Sequence, residues 1–212
     1  MIIGLLIIIG GGIFFYTTRQ VKSPIDTEIE IVQQQIPVEF DPIRSYAQDC
    51  LSSTSVEGLK IIGKQGGYIS FTNRTLNKQS LAISKNPTET EAVYFADGSD
   101  LIIPYWWFLK SQNNCKGNCE FSSSKPELRQ SENSIEKQLE RYIDARLDHC
   151  INDFEPFKEQ GFKVAEKGKI KTDVTIASQD VLVIVEYPVT IEAQDTKTEL
   201  RQFAARIPVN LE

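Results

Sequence analysis

The sequence predicts an α+β protein: an N-terminal transmembrane helix, then two long helices packed on antiparallel β-sheet, the sheet comprising a hairpin and a C-terminal three-stranded meander. Three observations predict it. The chain opens with MIIGLLIIIGGGIFFYTT, eighteen residues without a charge. Two later segments carry apolar residues at three- and four-residue spacing, the signature of an amphipathic helix. From Gly161 onward apolar and polar residues alternate, as in half-buried strands. The order helix, strands, helix, strands defines the α+β class.

As a helix the opening eighteen residues span about 27 Å, close to the roughly 30 Å hydrocarbon core of a bilayer. Phe14, Phe15 and Tyr16 form an aromatic edge where such a segment leaves the membrane. A cleaved signal peptide calls for a basic start and a small-residue cleavage site, and a buried core helix calls for a polar stripe. An uncleaved anchor over residues 1–18 fits better than either. Residues 19–41 read as a stalk and 42–212 as the domain, with two related halves at 42–109 and 127–212. Arg19 and Lys22 alone would hold the domain in the cytoplasm, whereas the paired cysteines and an N-glycosylation triplet, Asn73-Arg74-Thr75, favour the outside. The expectation is a single-pass membrane protein with its C-terminal domain outside the cell.

Asp41-Pro42 supplies an N-cap followed by proline at the first helical position. The helix it starts turns Ile43, Tyr46, Cys50, Leu51, Leu59 and Ile62 inward and stops by Gly66-Gly67. Ser52 to Ser55, Gly58 and Gly63 are poor helix formers, which predicts a kink or an early end, with the serines on the surface. A strand is expected at Tyr68–Thr72. AVYFADGSDLIIPYWWF then reads as a hairpin turning at Asp97-Gly98, and 110–126 as a polar loop. Ile135, Leu139, Tyr142, Ile143, Leu147, Cys150, Ile151 and Phe154 mark the second helix, closed by Pro156 and Gly161. In the meander, Val174 and Ile176 share a face, as do Val181, Val183, Val185, Tyr187, Val189 and Ile191, and then Phe203, Ala205, Ile207, Val209 and Leu211.

Each half holds a helix with an inward cysteine, a Gln-Gly stop and then β structure: Cys50 with Gln65-Gly66, and Cys150 with Gln160-Gly161. This echo makes Cys50–Cys150 the natural bridge, leaving Cys115 and Cys119 to close a small loop with Gly117 at its turn. A zinc site would have to gather Cys115, Cys119, Cys50, Cys150 or His149 from separate segments, and a redox pair usually has two intervening residues rather than three. Of the three readings of CKGNC, metal ligand pair, redox pair and disulfide, the disulfide fits best.

Tyr105, Trp106, Trp107 and Phe108 pose a second choice. In one strand, Tyr105 and Trp107 would face away from Trp106 and Phe108. Either both faces are covered, or the run leaves an aromatic patch for a partner subunit, a glycan or the membrane interface. Asp97 and Asp100 could bind calcium weakly, although turns also use Asp for backbone reasons. No nucleophile elbow, phosphate loop or dinucleotide fingerprint occurs, so no catalytic residue, cofactor or metal is expected. With a net charge of −6 and no basic stripe, nucleic acid is not an expected partner.

At YAQDCL…GLKIIGKQGGYI, IPYWW, IEKQLERYI…CINDF and VLVIVEYPVTI, most of residues 40–192 resemble a group of uncharacterised archaeal membrane-anchored proteins. Members of that group begin with an apolar segment like archaeal class III signal peptides, the type that directs pilin-like subunits. This chain lacks their basic-glycine-glutamine lead-in. The resemblance implies a cell-surface location and no known activity. The expected function is therefore structural, adhesive or in surface assembly, with other surface-protein subunits as the expected partners. An anchored module for a small ligand or glycan is the alternative.

Overall fold

The computed structural model describes residues 36–79, 81–84, 90–96, 98–99, 101–111 and 115–209. The expected membrane segment 1–18 lies outside these residues, as do 19–35 of the stalk, Asp97, Asp100 and Leu211. Among the described residues, no helix is long and apolar enough to cross a membrane. The fold is α+β, and the unit that holds it begins at Ile36.

The stalk boundary moves accordingly. Val38–Phe40 form a single 3₁₀ turn, and Phe40 is fully buried in the main core. Helix α1 follows over Asp41–Lys64. Asp41 is not the N-cap; it lies within the first turn, where its carboxylate accepts from Arg44 Nη2 at 2.7 Å.

The expected kink is absent. The helix runs 24 residues unbroken because its weak helix formers are packing residues. Ser55, expected at the surface, is buried, and its hydroxyl donates to Leu51 O at 2.7 Å, so no polar group is stranded. Gly58 lets the neighbouring helix approach: a Cβ there would lie 2.6 Å from Leu139 Cδ1.

That neighbour is α2, Ile135–Ile151, capped by the Ser134 side chain, which accepts from Lys137 N. The expected inward residues Ile135, Leu139, Tyr142, Ile143, Leu147 and Ile151 are all buried. Beyond Ile151 the chain takes three consecutive left-handed residues, Asn152, Asp153 and Phe154, before the short helix α3, Glu155–Lys158. Phe154 is fully buried there, stacked on Tyr187. Burial of that ring offsets a backbone conformation that non-glycine residues seldom adopt.

After α1 the strands are short. Ile83–Ser84 (β1) pairs parallel with Ala92–Tyr94 (β2), which pairs antiparallel with Ile102–Pro104 (β3). The expected hairpin is present, and the parallel first strand is an addition. Tyr68–Thr72 is not a strand. Its backbone partners lie elsewhere: Ile69 N donates to Gln138 Oε1 at 3.0 Å, and Asn77 Nδ2 donates to Ser70 O at 2.7 Å. Tyr68, Leu81, Ala92 and Ile102 form a small second core beneath this region.

The C-terminal sheet has four strands rather than three: β6 (Lys163–Glu166), β7 (Lys171–Ile176), β8 (Asp180–Ala193) and β9 (Thr196–Pro208). Strand β8 is central. β9 pairs along one side of it, while β7 and β6 share the other, opposite Val181–Glu186 and Val189–Glu192 respectively. The expected inward face of β8, Val181 through Ile191, is buried throughout, together with Val174, Ile176, Phe203 and Ile207. Both helices pack on that face, α1 along β9 and α2 along β7. The two sequence halves thus share one core, and only the strands after α1 stand apart.

Candidate functional site

Two hairpins at the C-terminal end of α1 carry the aromatic residues. The second is formed by Phe108–Leu109 (β4) and Phe121–Ser122 (β5), which makes part of the expected polar loop a β-ribbon. The chain bends at Trp106 and Trp107, so Tyr105 to Phe108 do not form one strand with alternating faces. Trp106 and Trp107 are both exposed, at 45% and 72%, while Tyr105 and Phe108 are half-buried. The covered strand is therefore ruled out. Sequence reasoning missed Phe95 and Phe121, each 66% exposed, and Tyr94 and Ile103, which add to the apolar surface of the same hairpins.

Trp106 is held in place. Its Nε1 donates to Gly66 O at 2.9 Å, and Lys125 Nζ lies over the ring, 5.2 Å from its centroid. Gly66 has φ +59, and a Cβ there would come within 2.9 Å of Pro104 Cγ, so this stop to α1 also makes room for the hairpin. Beside the ring a cavity of about 950 Å³ opens between Ile62, Gly66, Trp106, Lys125, Pro126 and Ile135. Ser124 joins the hairpins from below: its hydroxyl donates to Tyr105 O at 2.5 Å, and its carbonyl accepts from the Tyr68 hydroxyl. Burial pushes the Tyr68 phenol up to about 12, which keeps it protonated as that donor.

All four cysteines are paired as expected, Cys50 with Cys150 and Cys115 with Cys119, at Cα separations of 5.6 and 5.8 Å. Cys50 is buried, but Cys150 is exposed, contrary to its inward reading. The bridge reaches across the rim of the helix pair rather than through its centre. In the small loop the left-handed residue is Asn118 (φ 52), not Gly117. Lys116 to Cys119 are exposed and Cys115 is half-buried. His149 is exposed on α2, and among the described residues no group of three or more His, Cys, Asp or Glu side chains could hold a metal ion.

Asn73 is exposed in a turn, and its Oδ1 accepts from Thr75 N at 2.9 Å and Thr75 Oγ1 at 2.6 Å. A further arrangement was not legible in the sequence. Glu136, Glu140 and Asp144 of α2 accept the backbone N–H groups of Ile176, Val174 and Thr172 at 2.9, 3.3 and 2.9 Å. Four helical residues rise about 6 Å and two strand residues about 6.6 Å, so the three carboxylates meet three successive outward amides of antiparallel β7, one each. Burial raises the Asp144 pKa, its bonds from Thr172 acting against that. Lys137 donates to Glu140 at 2.8 Å, and that bond raises the lysine's pKa. The row closes a sheet edge that would otherwise offer free donors to another strand. It is a structural device rather than a catalytic one.

No protein family, curated protein or solved structure matches this chain.

Proposed function

We propose that the chain is a membrane-anchored cell-surface protein with a structural, adhesive or assembly role, whose contact region is the aromatic end of its domain. The observation that carries the reading is that Phe95, Trp106, Trp107 and Phe121, large aromatic side chains on the two hairpins, are all left in solvent. An enzyme would call for convergent polar groups; here the exposed chemistry is apolar and stacking. The apolar start and the resemblance to uncharacterised archaeal membrane-anchored proteins fit a place at the cell surface.

Replacing Trp107 and Phe121 by serine in the full chain tests this. Cross-linking in native membranes is expected to lose the adducts of the unaltered chain, with near-ultraviolet circular dichroism otherwise preserved. Unchanged adducts would overturn the role of this end. The cavity beside Trp106 favours a second reading, an anchored module for a small ligand or glycan. Retained assembly together with glycan binding lost on Trp106→Ala would support that reading instead.

A further inference from the structure

We infer that Asn73 is a glycosylation site, carrying an oligosaccharide through its side-chain nitrogen. The inference rests on the extracytoplasmic reading above and goes beyond it. Three features of the folded chain meet at this residue. It is exposed, in a polar turn from Thr72 to Thr75 that lies wholly at the surface. The turn is fixed from within: Asn73 O accepts from Leu76 N at 3.2 Å and Asn77 N at 2.9 Å, and Asn73 N donates to Ser70 Oγ at 3.1 Å. Asn77, buried beneath, ties the loop back to Ser70 O, and Arg141 Nε holds Leu76 O at 2.9 Å from α2.

The carboxamide itself is poised. Thr75 contributes its backbone N–H and its hydroxyl, both to Oδ1, at 2.9 and 2.6 Å. These bonds occupy the oxygen and turn Nδ2 outward, where among the described residues it makes no hydrogen bond. Donors on Oδ1 also draw electron density away from the amide nitrogen and ease loss of its proton. In the transfer, Nδ2 attacks C1 of the first sugar of a lipid phosphate-linked oligosaccharide. The N–C1 bond forms and the C1–O bond breaks. The lipid phosphate departs with the bonding electron pair, and the amide proton passes to a base of the transferring enzyme; nothing is oxidised or reduced. Among the described residues Nδ2 holds no hydrogen bond, so attachment there breaks none of them.

The test is glycopeptide mass spectrometry on the full chain purified from its own membranes, with the cysteines of the same sample mapped by alkylation before reduction. The expected result is a sugar-sized mass increment on the Asn73 peptide. It should vanish in Asn73→Gln and Thr75→Ala and persist in Thr75→Ser, which keeps the hydroxyl. An unmodified Asn73 in a chain whose cysteines are bridged would overturn this inference and leave the extracytoplasmic reading intact. An unmodified Asn73 beside four free thiols would overturn both.

Discussion

Gln138 illustrates how one side chain can settle the path of a whole segment. It is fully buried, accepts from Ile69 N at 3.0 Å, and donates to Gly67 O and Asn133 O at 3.1 and 3.0 Å. Three of its hydrogen-bonding positions are thereby used, and the backbone after α1 is pinned to α2. Gln138→Leu keeps the volume and strands a buried N–H and two carbonyls. The expected loss is about 2–4 kcal/mol in urea unfolding, read from the sum of two or three unsatisfied groups. A loss under about 0.5 kcal/mol, the level of a neutral surface change, would show that water replaces the amide. Gly66 and Trp106 play a similar part at the aromatic end, where a φ of +59 and one indole hydrogen bond seat the hairpin on the helix.

At the scale of elements, the row of carboxylates from α2 onto β7 makes a pH-dependent prediction. Burial holds Asp144 above the ordinary value of 3.8, so the folded state binds this proton more readily than the unfolded chain. The contribution of Asp144 to stability therefore falls as pH rises from about 3.8 through the raised folded value. Asp144→Asn keeps an oxygen for Thr172 and removes the buried charge. Its unfolding midpoint is expected to gain on the unaltered chain at neutral pH and to lose that gain in acid. An equal offset at both pH values would contradict the assignment. Much of the rest was legible in the sequence: the α2 spacing and the inward face of β8 are set by apolar periodicity, which burial enforces. The carboxylates were not, because Glu136, Glu140 and Asp144 have the spacing of an ordinary solvated stripe, and only the strand beneath distinguishes them. Thr54, Ser55 and Gly58 misled for a related reason, since residues that weaken a lone helix are the ones that allow two helices to pack closely. Trp106 and Trp107 could be named but not placed, because a bend rather than a strand decides what they face.

Among the described residues, the unit that begins at Ile36 packs two long helices on a four-stranded sheet, with a small hairpin region at one end of α1 and a covalent bridge toward the other. Cys50 and Cys150 are 100 residues apart, and Tyr46 donates to Cys150 O at 2.9 Å beside the bridge, so the staple fixes how the helices lie against each other. Chain-entropy reasoning gives such a loop about 4.7 kcal/mol, against about 2 kcal/mol for the Cys115–Cys119 clip. Cys50→Ser with Cys150→Ser is therefore expected to lower stability about twice as much as the paired replacement of Cys115 and Cys119. Equal losses would mean that the packing around Tyr46 and Phe157, rather than the bridge, holds that end.

The proposed surface role requires a domain that is stapled by two disulfides and stands outside the cell. Alkylation of native membranes before reduction, followed by peptide mass mapping, tests that most directly. The predicted result is Cys50 linked to Cys150 and Cys115 linked to Cys119, with no cysteine alkylated before reduction. Four alkylated thiols would contradict it, returning the domain to a reducing compartment and CKGNC to the status of a free thiol pair.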